Sequence, residues 1–158
     1  MAKAHPIRPF LPADARPLRE LFAQSIDVLT ADDYSEDQRV AWAATSEDLA
    51  GFAQRLAGST TLVVMANGQH AGFASLRGNT ELDMLYVHPH FANQGIGSTL
   101  CDALERLAKA RGAKEITTEA SDTAEPFFAM RGYEPMQRNL KPIDDQWLSN
   151  TTMKKPLG

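Results

Sequence analysis

The chain has 158 residues, and its 16 Lys and Arg against 20 Asp and Glu set a formal net charge of −4. Hydrophobic residues make up 43% of it, which excludes collagen-like, low-complexity and largely disordered classes. The acidic balance argues against a nucleic-acid partner, and no apolar stretch reaches the ~20 residues that span a bilayer. A single cysteine, Cys101, excludes a disulfide scaffold. We expect one cytoplasmic domain over residues 1–158, because no apolar signal region follows Met1.

Hydrophobic periodicity predicts a mainly helical first third of the chain. A short strand over residues 7–10 is followed by a helix over 13–29, whose apolar side chains recur at helical spacing. The patterns Ser35-x-x-Gln38 and Thr45-x-x-Asp48 are typical of helix starts. They predict two further helices, over 35–43 and 46–57.

The remaining residues alternate between strand and helix patterns. Asn67-Gly68 is a hairpin signal inside an expected antiparallel meander. The predicted strands are 60–66, 69–76, 81–87, 114–119, 133–137 and one within 147–155, and the predicted helices are 96–111 and 122–130. This order predicts an α+β sandwich, in which helices pack on a mixed and mostly antiparallel sheet.

Two glycines, Gly95 and Gly97, lie where a strand passes into the helix over 96–111. The first amides of a helix lack internal acceptors, and glycine lets an anion approach them closely. The same glycines also suit an ordinary turn. A dinucleotide-binding fingerprint is excluded because Leu100 replaces its third glycine, and no Gly-Lys-Ser/Thr follows to make a nucleotide P-loop.

Two segments together resemble a known family. The run Leu85-Tyr-Val-His-Pro-His-Phe-Ala-Asn-Gln-Gly-Ile-Gly-Ser-Thr-Leu100 is similar to the acetyl-CoA motif of the GCN5-related N-acetyltransferases (GNAT), Arg/Gln-x-x-Gly-x-Gly/Ala after a strand. Ala92 and Asn93 depart from that motif. The run Ser121-Asp-Thr-Ala-Glu-Pro-Phe-Phe-Ala-Met-Arg-Gly-Tyr133 resembles the family's Asn-x-x-Ala-x-x-Phe-Tyr-x-x-x-Gly-Phe segment. The resemblance covers essentially the whole chain and is greatest to small bacterial members.

The resemblance implies a GNAT fold with acetyl-CoA as co-substrate. In this family a splayed strand end binds the pantetheine arm through its backbone, and the glycine loop binds the pyrophosphate. The implied cofactor-binding residues are Leu85, Tyr86, Val87, Asn93, Gln94, Gly95, Ile96, Gly97, Ser98, Ser121 and Phe128. The implied reaction is direct transfer of an acetyl group to a primary amine of a small molecule or peptide.

Candidate catalytic residues follow from the same resemblance. Glu81 stands where histone-type members carry their base, and Asp83 shares its side-chain parity on the strand. Phe128 occupies the place of the family's proton-donating tyrosine, so no general acid is assigned. Tyr34 and Trp42 lie on the connection that roofs the acceptor pocket, where they wall the amine site, although Trp42 equally suits an anchor to the core.

Several alternatives stay open. Phe128 also fits a catalytically weak acyl-CoA-binding regulatory or interaction protein on the same fold. The His88-Pro-His90 pair lacks further ligands nearby in sequence, so we expect no metal. An acidic pocket of Asp32, Asp33, Glu81 and Asp83 would favour a cationic amine. The resemblance is compatible with a monomer or a homodimer.

Overall fold

The computed structural model describes residues 5–158. Its helices are α1 (Ala15–Leu29), α2 (Glu36–Ala44), α3 (Leu49–Ala57), α4 (Ile96–Ala110) and α5 (Glu125–Met130). Its strands are β1 (Ile7–Pro9), β2 (Thr60–Ala66), β3 (Gln69–Arg77), β4 (Glu81–Val87), β5 (Glu115–Ser121), β6 (Glu134–Ile143) and β7 (Gln146–Pro156). Short 3-10 turns lie at Pro12–Asp14 and Pro89–Phe91.

The seven strands form one sheet in the order β1-β2-β3-β4-β5-β7-β6. Every neighbouring pair is antiparallel except β4 and β5, which run parallel and are joined through α4. A parallel pair needs such a crossover, whereas the antiparallel pairs β2–β3, β3–β4 and β6–β7 are joined by short turns. This architecture confirms the predicted α+β class and its mostly antiparallel sheet.

An apolar core lies on each face of the sheet. The adjacent β3 residues Phe73 and Ala74 are both fully buried and belong to different cores, as the alternation of a strand requires. Leu104 of α4 fills the core around Ala74, and Leu18 of α1 fills the one around Phe73. Truncating either leucine to alanine would cost about 2–5 kcal/mol of folding free energy. The two cores hold the sheet and helices in one body.

Of the two predicted helix starts, the structure confirms the one at Ser35 and contradicts the one at Thr45. Ser35 caps α2 as expected: its Oγ accepts from the Gln38 amide at 3.2 Å, and the Gln38 side chain accepts from the Ser35 amide at 2.8 Å. The prediction for Thr45 is wrong. Thr45 ends α2, its Oγ1 donates to the Trp42 carbonyl at 2.7 Å, and α3 begins only after Asp48.

Two later elements differ in length from their predictions. The helix expected over 122–130 begins at Glu125, and the strand expected over 133–137 extends to Ile143. The long β6 pairs with β7 through Ile143 and Gln146, so both strands project past the end of β5. Cross-strand pairing therefore sustains a segment whose own pattern is weak in apolar residues.

Candidate active site

The parallel strands β4 and β5 separate soon after they meet. Their pairing comprises Glu81 with Thr117 and Leu82 with Thr118, and it goes no further. On the β3 side, Leu82 pairs with Leu76 and Met84 with Ser75, so Asp83 is an extra, bulged residue. A bulge bends its strand and increases its twist. The bulge therefore stands at the point where β4 turns away from β5 and opens a cleft in the sheet.

A groove of about 660 Å³ occupies the α4 side of this cleft. Its walls are the end of β4, the loop before α4, the first turn of α4, the end of β5 and α5, and the C-terminal end of α1 and Trp42 of α2 border it as well. Ten of the eleven predicted cofactor-binding residues line it, namely Leu85, Tyr86, Val87, Asn93, Gly95, Ile96, Gly97, Ser98, Ser121 and Phe128. Gln94 lies outside the lining; it is exposed, and its side chain donates to the His90 carbonyl at 3.4 Å.

The first turn of α4 fits a phosphate group. Gly95 precedes the helix with φ +80° and provides no side-chain cap, so the first amides of the helix have no side-chain acceptor. They face the groove in a helix of 15 residues, where the helix dipole favours an anion. A Cβ on Gly97 would stand 3.3 Å from the Phe127 ring, so a larger residue would crowd the groove. Glycine is favoured at both positions, at Gly95 by the positive φ and at Gly97 by the close approach of Phe127.

Phe128 borders the groove with a ring that is almost fully buried. It is 2% exposed, and its ring packs at 5.2 Å from Phe127 and 5.0 Å from Tyr133. Tyr133 is also buried, as expected for a core residue, and its hydroxyl donates to Glu105 at 2.9 Å. Neither side chain offers a proton to the cleft.

A second cavity, of about 550 Å³, lies on the α1 and α3 side of the cleft. The connection from α1 to α2 and the β6–β7 hairpin enclose it from opposite sides. The two cavities share the lining residues Trp42, Leu82, Asp83, Tyr86, Glu119 and Ser121. A ligand in the groove and one in this second cavity would therefore meet where β4 and β5 separate. We call the second cavity the acceptor cavity.

Tyr34 and Trp42, the two residues predicted to wall an amine site, both line the acceptor cavity. The Tyr34 hydroxyl donates to the Ser149 carbonyl at 2.6 Å and accepts from the Asp122 amide at 2.8 Å. Burial raises the pKa of Tyr34. Trp42 packs edge-on against Tyr34 at 5.3 Å and against Tyr86 at 6.4 Å. Tyr34 thus joins two walls of the cavity, and Trp42 supports them.

The predicted acidic pocket is not formed. Asp32 is exposed, Asp33 accepts from Thr123 at 2.7 Å, and neither lines the acceptor cavity. Glu81 and Asp83 do line it, but each is matched by an arginine. Arg77 Nη2 donates to both Glu81 oxygens at 2.6 and 2.7 Å.

Asp83 is held in the same way by an arginine from α3. Arg55 donates to both of its oxygens at 2.9 Å, and the carboxylate is only 7% exposed. Arg77 lies 3.8 Å from its Oδ1. Sequence reasoning missed both arginines. Arg55 is 28 positions from Asp83, so nothing local indicates that ion pair. Arg77 faces Glu81 across the β3–β4 hairpin, and that local pairing was a signal that could have found it.

Glu119 and Lys141 were also missed. Both line the acceptor cavity, and Glu119 lines the groove as well. Side chains alternate along β5, so Glu119 lies on the face opposite the buried Ile116 and Ala120. This placement follows from the predicted strand and was a signal that could have identified Glu119. Lys141 lies in the part of β6 that the sequence did not predict.

Metal chemistry has no visible support in the described part of the chain. Across residues 5–158 no group of three His, Cys, Asp or Glu side chains is placed to hold a metal ion. His88 Nδ1 accepts from the His90 amide at 3.1 Å, a local loop contact.

Within residues 5–158, no helix is both long and apolar enough to cross a membrane.

Comparison with known proteins agrees with this geometry. Residues 30–157 match the family described as "Acetyltransferase (GNAT) domain". The chain is 32% identical over 148 residues to the uncharacterized N-acetyltransferase YafP of Escherichia coli, covering 94% of this chain and 93% of that protein. It is similar to a GCN5-related N-acetyltransferase crystal structure from Rhodopseudomonas palustris, with 51% identity, a TM-score of 0.96 and coverage of 99% and 98%.

A more distant structure shares the fold. The PaiA N-acetyltransferase of Thermoplasma acidophilum, solved in complex with coenzyme A, is 22% identical with a TM-score of 0.81, over 98% of this chain and 99% of that one. The family match and the Escherichia coli relative place the chain in the acyltransferase class of enzymes. The chain belongs to the GNAT family of acetyltransferases.

Proposed function

We propose that this protein transfers an acetyl group from acetyl-CoA directly to a primary amine of a small molecule or peptide. The observation that carries the proposal is the meeting of the groove and the acceptor cavity at the point where β4 and β5 separate. The coenzyme A in the Thermoplasma PaiA structure supports the same ligand class for the groove. Acetyl-CoA supplies the activated acetyl thioester.

The groove residues have distinct tasks in this proposal. The amides that begin α4, beside Gly95 and Gly97, hold the pyrophosphate. The backbone of Leu85, Tyr86 and Val87, which does not pair with β5, holds the pantetheine arm and presents a donor to the thioester carbonyl. Ser121 and Phe128 close the opposite side of the groove. These tasks depend on backbone groups and shape, so the departures at Ala92 and Asn93 leave them in place.

The amine is activated on the acceptor side of the cleft. Its nitrogen attacks the carbonyl carbon, the C–N bond forms as the C–S bond breaks, and the amine proton passes to a carboxylate, directly or through water. Glu81 and Asp83 are the proposed proton acceptors. Asp83 lines both cavities, whereas Glu81 lines only the acceptor cavity, so Asp83 stands nearer the shared boundary. No side chain is assigned to protonate the departing CoA thiolate, which takes its proton from solvent.

A catalytically weak acyl-CoA-binding protein is the second candidate. Phe128 favours it, because a buried phenyl ring stands where relatives of this kind place a proton donor. Both candidates predict binding of coenzyme A species, and they differ in turnover.

The deciding experiment measures binding and turnover in the same preparation. A ligand at one hundred times its dissociation constant stabilises the folded protein by about 2.7 kcal/mol. We therefore expect acetyl-CoA and CoA, but not NADH, to raise the melting temperature. Gly97→Val should abolish this shift, since its side chain would crowd Phe127. Lys109→Ala, at the far end of the same helix, is the control. Thiol release with a panel of amines then separates the enzyme from the binding protein, and no shift with any CoA species would refute both.

A further inference from the structure

The acceptor cavity contains three carboxylates and three cations, and they do not all pair with one another. Arg77 holds Glu81, and Arg55 holds Asp83. That leaves Glu119 and Lys141, for which no hydrogen-bonding or ion-pairing side chain is found within residues 5–158. Across residues 5–158, one anion and one cation therefore face the cavity without a direct ion-pair partner, and Glu119 attracts Arg77 only at longer range.

The strand register places these two charges on the same face of the sheet. Glu119 lies opposite Thr152 of β7, which lies opposite Gln137 of β6. Lys141 is four residues beyond Gln137, and an even spacing returns its side chain to that face. Two strand spacings of ~4.8 Å and four residues of ~3.4 Å separate the two Cα atoms by roughly 17 Å. Long side chains extending toward each other shorten this to the length of a small ligand.

The two charges also differ in their distance from the groove. Glu119 lines both cavities, so its carboxylate is at the boundary where an attacking amine must arrive. Lys141 lines the acceptor cavity alone, beside Pro142, Ile143 and the buried Leu148. The cavity thus has an anionic end at the cleft, an apolar stretch, and a cationic end under the β6–β7 hairpin.

We propose that the acceptor is an amine with an anionic group at its other end, an amino acid-like compound. Glu119 binds its ammonium group at the cleft, and Lys141 binds its carboxylate or phosphate. Arg77 and Arg55 cannot replace Lys141 as the group that binds the anion, because their charges are already balanced by Glu81 and Asp83. This inference rests on the proposed function and names the substrate class for it.

The test compares acceptors that differ only at the far end. Omega-amino acids from glycine to 6-aminohexanoate, the matching n-alkylamines, the matching diamines and 6-aminohexyl phosphate are assayed by thiol release with acetyl-CoA. Binding of each to the CoA-saturated protein is measured by calorimetry. We expect one anionic member to exceed its neutral and cationic counterparts in kcat/KM by about two- to fivefold, the size of one exposed charge contact. The comparison of 6-aminohexyl phosphate with 6-aminohexanoate shows whether the cavity prefers a phosphate or a carboxylate.

Variants locate the effect at the proposed residues. Lys141→Glu should reverse the preference, so that the diamine exceeds the amino acid, and Lys141→Gln should abolish it. Glu119→Gln should raise the KM of every amine in the panel. Lys114→Gln, an exposed lysine at the opposite end of β5, is the matched control and should keep the wild-type order.

The two ideas fail in different ways. Equal turnover of anionic, neutral and cationic amines would overturn this inference and leave the proposed function intact. Selective binding of the anionic member without thiol release from any amine would refute the proposed function and support the acceptor class. No anionic preference in either measurement, or an unchanged order in Lys141→Glu, would overturn the inference.

Discussion

Glu81 and Asp83 lie on the same face of β4 and are held by arginines, yet they differ in their surroundings. The Glu81 carboxylate is 33% exposed, whereas that of Asp83 is 7% exposed and belongs to the bulge. Removing the charge of Asp83 leaves a bidentate arginine without its partner at the cleft. Removing that of Glu81 releases Arg77 at a more open position. Mutations of Glu81 and Asp83 can therefore distinguish the roles of the two carboxylates.

We expect Asp83→Asn to lower kcat about a hundredfold at neutral pH if Asp83 accepts the amine proton. Glu81→Gln should have the smaller effect, because Glu81 does not line the groove. The KM for acetyl-CoA should change little in either variant. Steady-state kinetics with circular dichroism as a folding check provides the measurement, and Glu20→Gln on the exposed side of α1 is the control. A wild-type kcat in both variants would show that neither Asp83 nor Glu81 is the proton acceptor.

At the scale of elements, β1 is held to the sheet by a buried carboxylate. Asp14 accepts from Arg8 at 2.7 Å through both oxygens, from the Leu11 amide at 2.8 Å and from His70 at 2.8 Å. The hydrogen bonds from Arg8 hold the pKa of the Asp14 carboxyl well below its usual range. Its ionised form therefore stabilises the folded state at neutral pH and loses this contribution as pH falls below about 4.

Asp14→Asn should lower the free energy of unfolding at neutral pH by about 1–3 kcal/mol, because four nitrogen donors on three residues lose a charged acceptor. The difference between wild type and variant should shrink as pH falls from 5 toward 3. Thermal or urea unfolding across this pH range measures it. Asp27→Asn, an exposed carboxylate on α1, should leave the pH profile unchanged. A difference that stays constant with pH would show that the charge of Asp14 does not act in this way.

On the scale of the whole molecule, one phenol connects three distant segments around the acceptor cavity. Tyr34 lies between α1 and α2, its acceptor Ser149 is in β7, and its donor Asp122 follows β5. Ser149 also donates to Asp122 at 2.6 Å, which completes the contact. The shape of the cavity consequently depends on a cluster that spans most of the chain.

Tyr34→Phe should cost about 1–2 kcal/mol of stability, because two buried hydrogen bonds are lost. It should raise the KM of the amine more than that of acetyl-CoA. Tyr133→Phe is a matched control, since it also removes a buried hydroxyl contact but lies away from the acceptor cavity. Melting temperatures and both KM values distinguish the two. An amine KM affected equally in both variants would mean that Tyr34 acts through general stability alone.

Local patterns in the sequence determined much of this protein. Apolar periodicity located the helices and strands, and Asn67-Gly68 takes positive φ values of 52° and 75° in its hairpin, as the dipeptide predicted. The glycines of the α4 loop indicated the anion cradle and, with the second motif, the family. These features are encoded by neighbouring residues, so they can be derived without knowing the fold.

The tertiary structure alone decided the character of the acceptor cavity. The bulge at Asp83 is defined by pairing with β3, and the ion pair of Asp83 depends on Arg55, which packing brings from α3. The same holds for Glu119 and Lys141, which share a face only through the register of three strands. Charge balance in a cavity is a property of residues distant in sequence, and local pattern carries no record of which of them meet.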